Sequence, residues 1–213
     1  MTRPLFHQTR LWRRRSASVA WVLAAVALGL GSAWGVLRSQ SGFGGDAAGP
    51  WRASALAGSA DADLYTRARV ALGGLLALNR AETMYFLAQT DSAGQPLRSR
   101  CSYRVTGTPP QARWWSVTAY AEDFFLFPND QHRYSLSGSS ARLDAQGRFS
   151  LVSGPTAPTA PTASPGKPDP VWLPTPGDRG LMFTLRLYNP DPALASAPAS
   201  LLPPTIQAIG DCT

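Results

Sequence analysis

Residues 113–120 read RWWSVTAY, and this run decides the fold class. It is dense in aromatic and β-branched residues, and its side chains alternate with period two, Trp115 and Val117 on one face, Trp114 and Tyr120 on the other. A second run of the same kind, Leu181–Tyr188 (LMFTLRLY), lies well downstream. Around these two, shorter runs follow the same rule. Glu82–Gln89 (ETMYFLAQ) is a strand ending in the turn Asp91-Ser92-Ala93-Gly94, and Arg100–Gly107 (RCSYRVTG) answers it across a hairpin-like connection until Pro109-Pro110 stops it. Phe124–Phe127, Arg133–Ser137, Arg148–Ser153 and Thr205–Ile209 are further short strands, the third entered through the turn Asp144-Ala145-Gln146-Gly147. Many short strands punctuated by Gly, Pro and Asp imply a mainly β domain, an antiparallel β-sandwich or jelly-roll-like barrel.

Upstream of the strands one soluble helix is expected. Asp61 or Asp63 caps it, and it runs to about Asn79 with Leu64, Ala68, Ala71, Leu72, Leu75 and Leu78 on one face, packed on the sheet domain. Residues 154–170 (GPTAPTAPTASPGKPDP) are too rich in Pro to join a ladder and read as a partly extended surface loop. The repeated Ala-Pro-Thr is local low complexity, and no solenoid or propeller period is present.

The N-terminal part is of another kind. Residues 16–37 (SASVAWVLAAVALGLGSAWGVL) carry no charge, no Pro and no amide side chain, and at ~1.5 Å per residue such a helix spans the ~30 Å hydrocarbon layer. Trp21 and Trp34 sit toward its ends, and Arg13-Arg14-Arg15 directly before it sets the N-terminus inside by the positive-inside rule. The expected organisation is a basic cytoplasmic tail over 1–15, a transmembrane helix over 16–37, a flexible Gly-rich spacer over 38–60, and a periplasmic β-sandwich over 61–213, in a bacterial inner membrane. A cleaved signal peptide is the rival, with Gly31-Ser32-Ala33 as a small-x-small site, but the apolar run continues through Trp34 to Leu37 and exceeds a usual signal core. No Cys follows the segment to take a lipid, and no apolar pair follows the arginines as twin-arginine export requires.

The formal net charge is +7, but Arg3, Arg10, Arg13, Arg14, Arg15 and Arg38 supply +6 of it before residue 39, where no acidic residue occurs. The 14 basic and 13 acidic residues that remain leave the rest near neutrality. A polyanion-binding face needs its basic residues clustered on the folded part, so nucleic acid is not an expected partner. The two cysteines, Cys101 and Cys212, both lie in the exported part, and an even count in an oxidising compartment implies a disulfide. They lack the Cys-x-x-Cys spacing of a reactive thiol pair.

The downstream sequence also resembles a known family. Pro109-Pro110, Arg113-Trp114-Trp115-Ser116-Val117-Thr118 with Tyr120, Arg133-Tyr134-Ser135, Trp172-Leu173-Pro174, Leu185-Arg186-Leu187-Tyr188 with Pro190, and Pro203-Pro204 with Ile206 stand in the order shown by the bacterial domain-of-unknown-function family twelve-fourteen. That family often follows family twelve fifty-four in longer proteins, a companion that this chain lacks. The resemblance covers residues 80–210 and implies a β-sandwich with, in short versions, an N-terminal membrane helix. His132 stands where members commonly have Asn. No activity comes with the family.

Residues that could carry chemistry are few. His132 is the only histidine outside the N-terminal tail, with Asp130 and Ser135 near it, but there is no Gly-x-Ser-x-Gly elbow and no catalytic residue is assigned. Glu122-Asp123 is the only adjacent carboxylate pair, and neighbours on an extended segment point apart. No His/Cys/carboxylate cluster with metal spacing occurs, and no cofactor is implied. Arg133 and Arg186 lie within alternating runs, where a guanidinium pairs with an internal carboxylate or faces an anionic ligand. Because Trp114 and Trp115 face opposite ways, one core cannot hold both. The candidate ligand-facing residues are therefore Trp114, Trp115, Tyr120, His132, Arg133, Tyr134 and Arg186. The reading that follows is a non-catalytic module tethered to the bilayer, binding an envelope protein or a saccharide or lipid ligand. A periplasmic hydrolase or glycan-processing enzyme using His132 or Asp123 with Arg133 is the alternative of another class, and a structural spacer in an envelope complex is a third.

Overall fold

The computed structural model describes residues 6–38, 47–53, 58–72, 78–79, 81–158, 169–210 and 212. Parts of the 38–60 spacer, of the helix read to Asn79 and of the Pro/Thr-rich loop therefore lie outside the described residues. The chain divides into two compact units, residues 1–42 and 43–213.

The described residues of the first unit form one helix, α1 (Phe6–Arg38). Its stretch Ser18–Leu37 is long and apolar enough to cross a membrane. Val22, Leu23, Leu28 and Trp34 are all exposed on it, so its apolar surface is turned outward and not consumed in a protein core.

The second unit is two sheets around one core. Nine of its elements before the C-terminal strand are β1 (Ala47–Ala48), β2 (Trp51–Ala53), β3 (Thr83–Ala88), β4 (Tyr103–Gly107), β5 (Ala112–Ala121), β6 (Ser135–Ser137), β7 (Phe149–Gly154), β8 (Val171–Pro174) and β9 (Leu181–Pro190); β10 (Thr205–Ala208) closes the chain. The larger sheet has the order β1-β2-β3-β9-β5-β6 and the smaller β10-β4-β7-β8. The two best runs in the sequence, β5 and β9, pair antiparallel at the centre of the larger sheet.

Register shows why the alternation matters. Ala53, Phe86, Leu185, Val117 and Leu136 stand opposite one another on five successive strands, all buried on the inner face. Met84, Leu187 and Trp115 form the next inner row. From the smaller sheet Tyr103, Val105, Phe149, Leu151, Leu173 and Ile206 complete the same core cluster, and the rings of Trp115 and Phe149 meet between the sheets with centroids 4.6 Å apart. This is a β-sandwich.

Several expectations need correction. β4 does not answer β3: the turn after β3 is local, with Leu97 N–H donating to the Gln89 carbonyl at 2.9 Å, and the chain then crosses to the other sheet, where β4 pairs with β7 and β10. Period two fixes a strand's faces but not its partners. Phe124–Phe127 is a tight turn and not a strand. Ala121 N–H donates to the Phe125 carbonyl at 2.9 Å, and Phe124 takes φ 65° to make the bend. β7 and β8 run parallel, which makes the smaller sheet mixed. A parallel neighbour needs a crossover of about a dozen residues or more, and residues 155–170 supply it. The stretch read as a spacer contains β1 and β2, and Trp51 within it is fully buried with its indole N–H on the Pro204 carbonyl at 2.7 Å. Among the helices, α2 (Leu64–Leu72) starts where expected, with the Asp63 carboxylate accepting the Thr66 N–H at 2.9 Å, but Leu64 is exposed and none of the side chains described on α2 belongs to the core cluster. A short α3 (Pro192–Ser196) follows β9.

The two Asp-x-x-Gly turns are the same device twice. Asp91 Oδ1 accepts the N–H of Ala93 and Gln95, and Asp144 Oδ1 accepts those of Gln146 and Arg148. Gly94 and Gly147 take φ of 82° and 71°, which a side chain would strain. The Asp144 carboxyl is held below the ordinary carboxylate range, first by the Arg148 backbone N–H and further by the Gln146 N–H and the Arg148 guanidinium. A carboxyl whose folded value lies below its unfolded value of about 3.9 stabilises the fold above that pH, and the contribution is lost as pH falls through the lowered folded value. Asp144→Asn is therefore expected to lower the melting temperature at neutral pH. The gap to wild type should narrow as melts are repeated toward about pH 2.

Candidate functional site

The outer face of the larger sheet carries an unusual set of side chains. Three cross-strand rows lie side by side there: Thr83–Tyr188–Trp114, Tyr85–Arg186–Ser116–Ser137, and Leu87–Thr184–Thr118–Ser135. A sheet face turned to water carries polar side chains; this one holds Trp, Tyr and hydroxyls with a guanidinium at its middle, and Thr83, Leu87, Ser116, Thr118 and Thr184 on it are buried.

Arg186 organises the face. Its Nη2 donates to the Tyr120 hydroxyl at 2.8 Å, and its guanidinium lies 5.3 Å from the Tyr120 ring centroid and 5.9 Å from that of Tyr85. Tyr120 stands opposite Met182, so this bond passes over the Thr118–Thr184 row, and both threonines are buried. The internal carboxylate expected for Arg186 is not its partner: among the described residues no acid forms an ion pair with it. Aromatic faces stand in for the carboxylate, each contributing about 1 kcal/mol of cation–π attraction at a half-buried site. Beside it Trp114 meets Tyr188 edge to face at 5.1 Å and donates its indole N–H to Ser139 Oγ at 3.0 Å, which fixes a Trp ring that is 37 % exposed. Burial pushes the Tyr85 hydroxyl above the ordinary tyrosine range, opposed by a backbone hydrogen bond at Leu78 and by Arg186. The Thr83 hydroxyl, on the same face, is buried without a hydrogen-bond partner among the described residues.

Of the residues singled out in the sequence, Trp114, Tyr120 and Arg186 come together here. Trp115 does not. It is 4 % exposed and fills the core against Phe149, because the alternation that brings Trp114 out turns Trp115 in. His132 and Arg133 are exposed in the turn before β6, where Asn129 holds the Arg133 backbone through 3.1 Å bonds and His132 takes φ 53°. Tyr134 is half-buried beside Ala119, on the inner side of the edge. Asp123 pairs with Arg179, and Asp178 with Arg98 and Arg100, at another part of the domain. No group of three or more His, Cys or acidic residues able to hold a metal occurs among the described residues. The sequence reading missed Tyr85, Tyr188 and Ser116. Tyr188 was within reach, since it follows Arg186 by two and so shares its face. Tyr85 and Ser116 needed the register.

A separate concavity of about 240 Å³ lies between the β4–β5 connection and the segment after β9, lined by Thr108, Pro109, Pro110, Leu194, Leu201 and Leu202 among others. It holds no titratable side chain. Cys101 and Cys212 are bonded to each other.

A mainly β sandwich with an apolar N-terminal helix and an aromatic-rich outer face is the class these features define. The chain belongs to the family described as protein of unknown function DUF1214, whose profile matches residues 82–192, the span that contains β3, β5, β9 and every member of the Arg186 cluster. The comparison with curated proteins gives no match. Among solved structures, the VPA0106 protein from Vibrio parahaemolyticus is similar at TM-score 0.54 and 24 % identity, over 71 % of this chain and 37 % of its own. An uncharacterized protein from Burkholderia cenocepacia aligns at TM-score 0.37 and 17 % identity, over 60 % of this chain and 29 % of its own. The chain thus spans little more than a third of the Vibrio protein, and that likeness is one of fold.

Proposed function

We propose that this protein is a membrane-tethered binding module of the bacterial envelope, non-catalytic, that presents the outer face of its larger sheet to a ligand. The observation that supports it is the Arg186 cluster: a half-buried cation with no carboxylate partner among the described residues, faced by Tyr85 and Tyr120, with the Trp114–Tyr188 pair in the neighbouring row. Large aromatic surfaces with a few placed polar groups are what small-molecule sites are built from. The hydrolase alternative needs His132, a carboxylate and Arg133 to converge, and His132 and Arg133 sit instead in an exposed turn while Asp123 is engaged by Arg179.

The tether is α1, with its basic segment on the cytoplasmic side and the sandwich in the periplasm. Fusing alkaline phosphatase or green fluorescent protein after Thr213 tests this placement. Active phosphatase in the membrane fraction and dark fluorescent protein are expected. Phosphatase recovered in the soluble periplasm would mean that the segment is cleaved, and bright fluorescence would reverse the orientation.

A further inference from the structure

We infer that Thr156 is an acceptor for O-linked glycosylation, taking a short glycan from a polyprenyl diphosphate donor in the membrane. The inference rests on the periplasmic placement proposed above and adds a covalent modification to it.

Two segments combine Ala and Pro with hydroxyl side chains, residues 154–164 (GPTAPTAPTAS) and residues 192–200 (PALASAPAS). Thr or Ser interspersed with Pro is the composition of O-glycosylated stalks. Among the described residues these segments offer three hydroxyls, on Thr156, Ser196 and Ser200, and all three residues are exposed. The structure separates them. Ser196 closes α3 with its Oγ donating to the Ala193 carbonyl at 2.9 Å, and Ser200 closes the 3₁₀ turn Pro198–Ser200 with its Oγ donating to the Ala197 carbonyl at 2.7 Å. Both hydroxyls are thus turned back onto their own helical turn, which a transferase would have to unwind before it could seat the chain extended. Thr156 lies two residues beyond β7 in the exposed run 155–158, outside any helix or ladder, and its hydroxyl makes no hydrogen bond among the described residues.

Pro155 and Pro158 set the backbone on either side of that hydroxyl. The ring of Pro155 fixes its own φ, and Pro158 keeps Ala157 out of the helical region. A segment restricted in this way enters an enzyme cleft with little conformational entropy left to lose. No charged side chain stands between the two prolines to oppose an approach. The reaction is a displacement at the anomeric carbon of the glycan. The Thr156 hydroxyl oxygen bonds to that carbon as the bond from it to the diphosphate oxygen breaks. The electron pair leaves with the polyprenyl diphosphate, and the hydroxyl proton passes to a base of the membrane transferase and on to solvent. The diphosphate leaving group drives the transfer, so no nucleotide is needed on the periplasmic side.

The test is mass spectrometry of the full chain, purified in detergent from the membranes of its native bacterium and read on the peptide that carries Thr156. That peptide is expected to be heavier than its sequence by whole sugar residues and to give sugar fragment ions. Thr156→Val should lose the added mass, and Thr156→Ser, which restores a hydroxyl, should keep it. The peptide with Ser196 and Ser200 should be unmodified. An unmodified Thr156 peptide, an added mass that gives no sugar fragments, or an added mass fully retained in Thr156→Val would each overturn the inference. Sugar on Ser196 or Ser200 in place of Thr156 would overturn it as well. The fusion experiment keeps the two failures apart: active phosphatase with an unmodified Thr156 sinks the glycan alone, whereas a bright fluorescent fusion removes the periplasmic placement and the glycan with it.

Discussion

Replacing Trp51 by alanine is expected to destabilise the sandwich by about 4 kcal/mol, the upper part of the range for truncating a large buried aromatic. The side chain is completely buried and its indole N–H is the donor to the Pro204 carbonyl at 2.7 Å, so the substitution opens a cavity and also leaves a buried acceptor without its partner. It unties β2 from the segment that leads into β10, so two sheets loosen at once. For a domain of this size such a loss lowers the melting temperature by roughly 10 °C. Trp114→Ala is the control. Trp114 is partly exposed and its neighbour Tyr188 remains, so about 1 kcal/mol is expected. Denaturant titrations of both variants read the difference. Equal effects would mean that residues 47–53 are not integral to the domain.

The second large effect lies at the other end of the chain. Removing the disulfide by Cys101→Ser with Cys212→Ser is expected to cost about 4–5 kcal/mol, because the two cysteines are 111 residues apart and reopening so long a loop restores its entropy to the unfolded chain. A reducing agent added to wild type should produce the same shift in denaturation midpoint and none in the double variant. An unchanged midpoint on reduction would show that β10 is held without the disulfide, by its ladder to β4, the Ser92–Ile206 bonds and the Trp51–Pro204 bond.

Much of this architecture is written locally in the chain. Strong alternation over RWWSVTAY and LMFTLRLY placed the two central strands and their faces, and Asp-x-x-Gly marked two turns because Asp and Gly meet specific backbone demands there. What was not legible is what depends on partners distant in sequence. β1 and β2 are two and three residues long and sit among Gly and Ala, so no period could announce them. β8 follows a Pro-rich stretch and pairs parallel, a geometry that leaves no turn signature. The site was half legible for the same reason. Trp114, Tyr120 and Arg186 share visible alternation, whereas Tyr85 reaches Arg186 only because β3 lies beside β9, which no local pattern states. Trp115 was included because two adjacent tryptophans look alike until the sheet decides which one it covers.

The order β3-β9-β5 has a consequence for how the domain comes into being. The strand at the centre of the larger sheet is the last of that sheet to be synthesised, and it enters between two strands that are made earlier and have no pairing with each other. Until Pro190 has emerged, β3 and β5 are two separate edges with apolar inner rows and nothing between them. The nascent chain therefore has no stable half-domain to rest in, and collapse awaits long-range closure, which is the slow regime for β topologies. Closure of the larger sheet is therefore expected only after residues 181–190 have been delivered, and that of the smaller sheet only after β10.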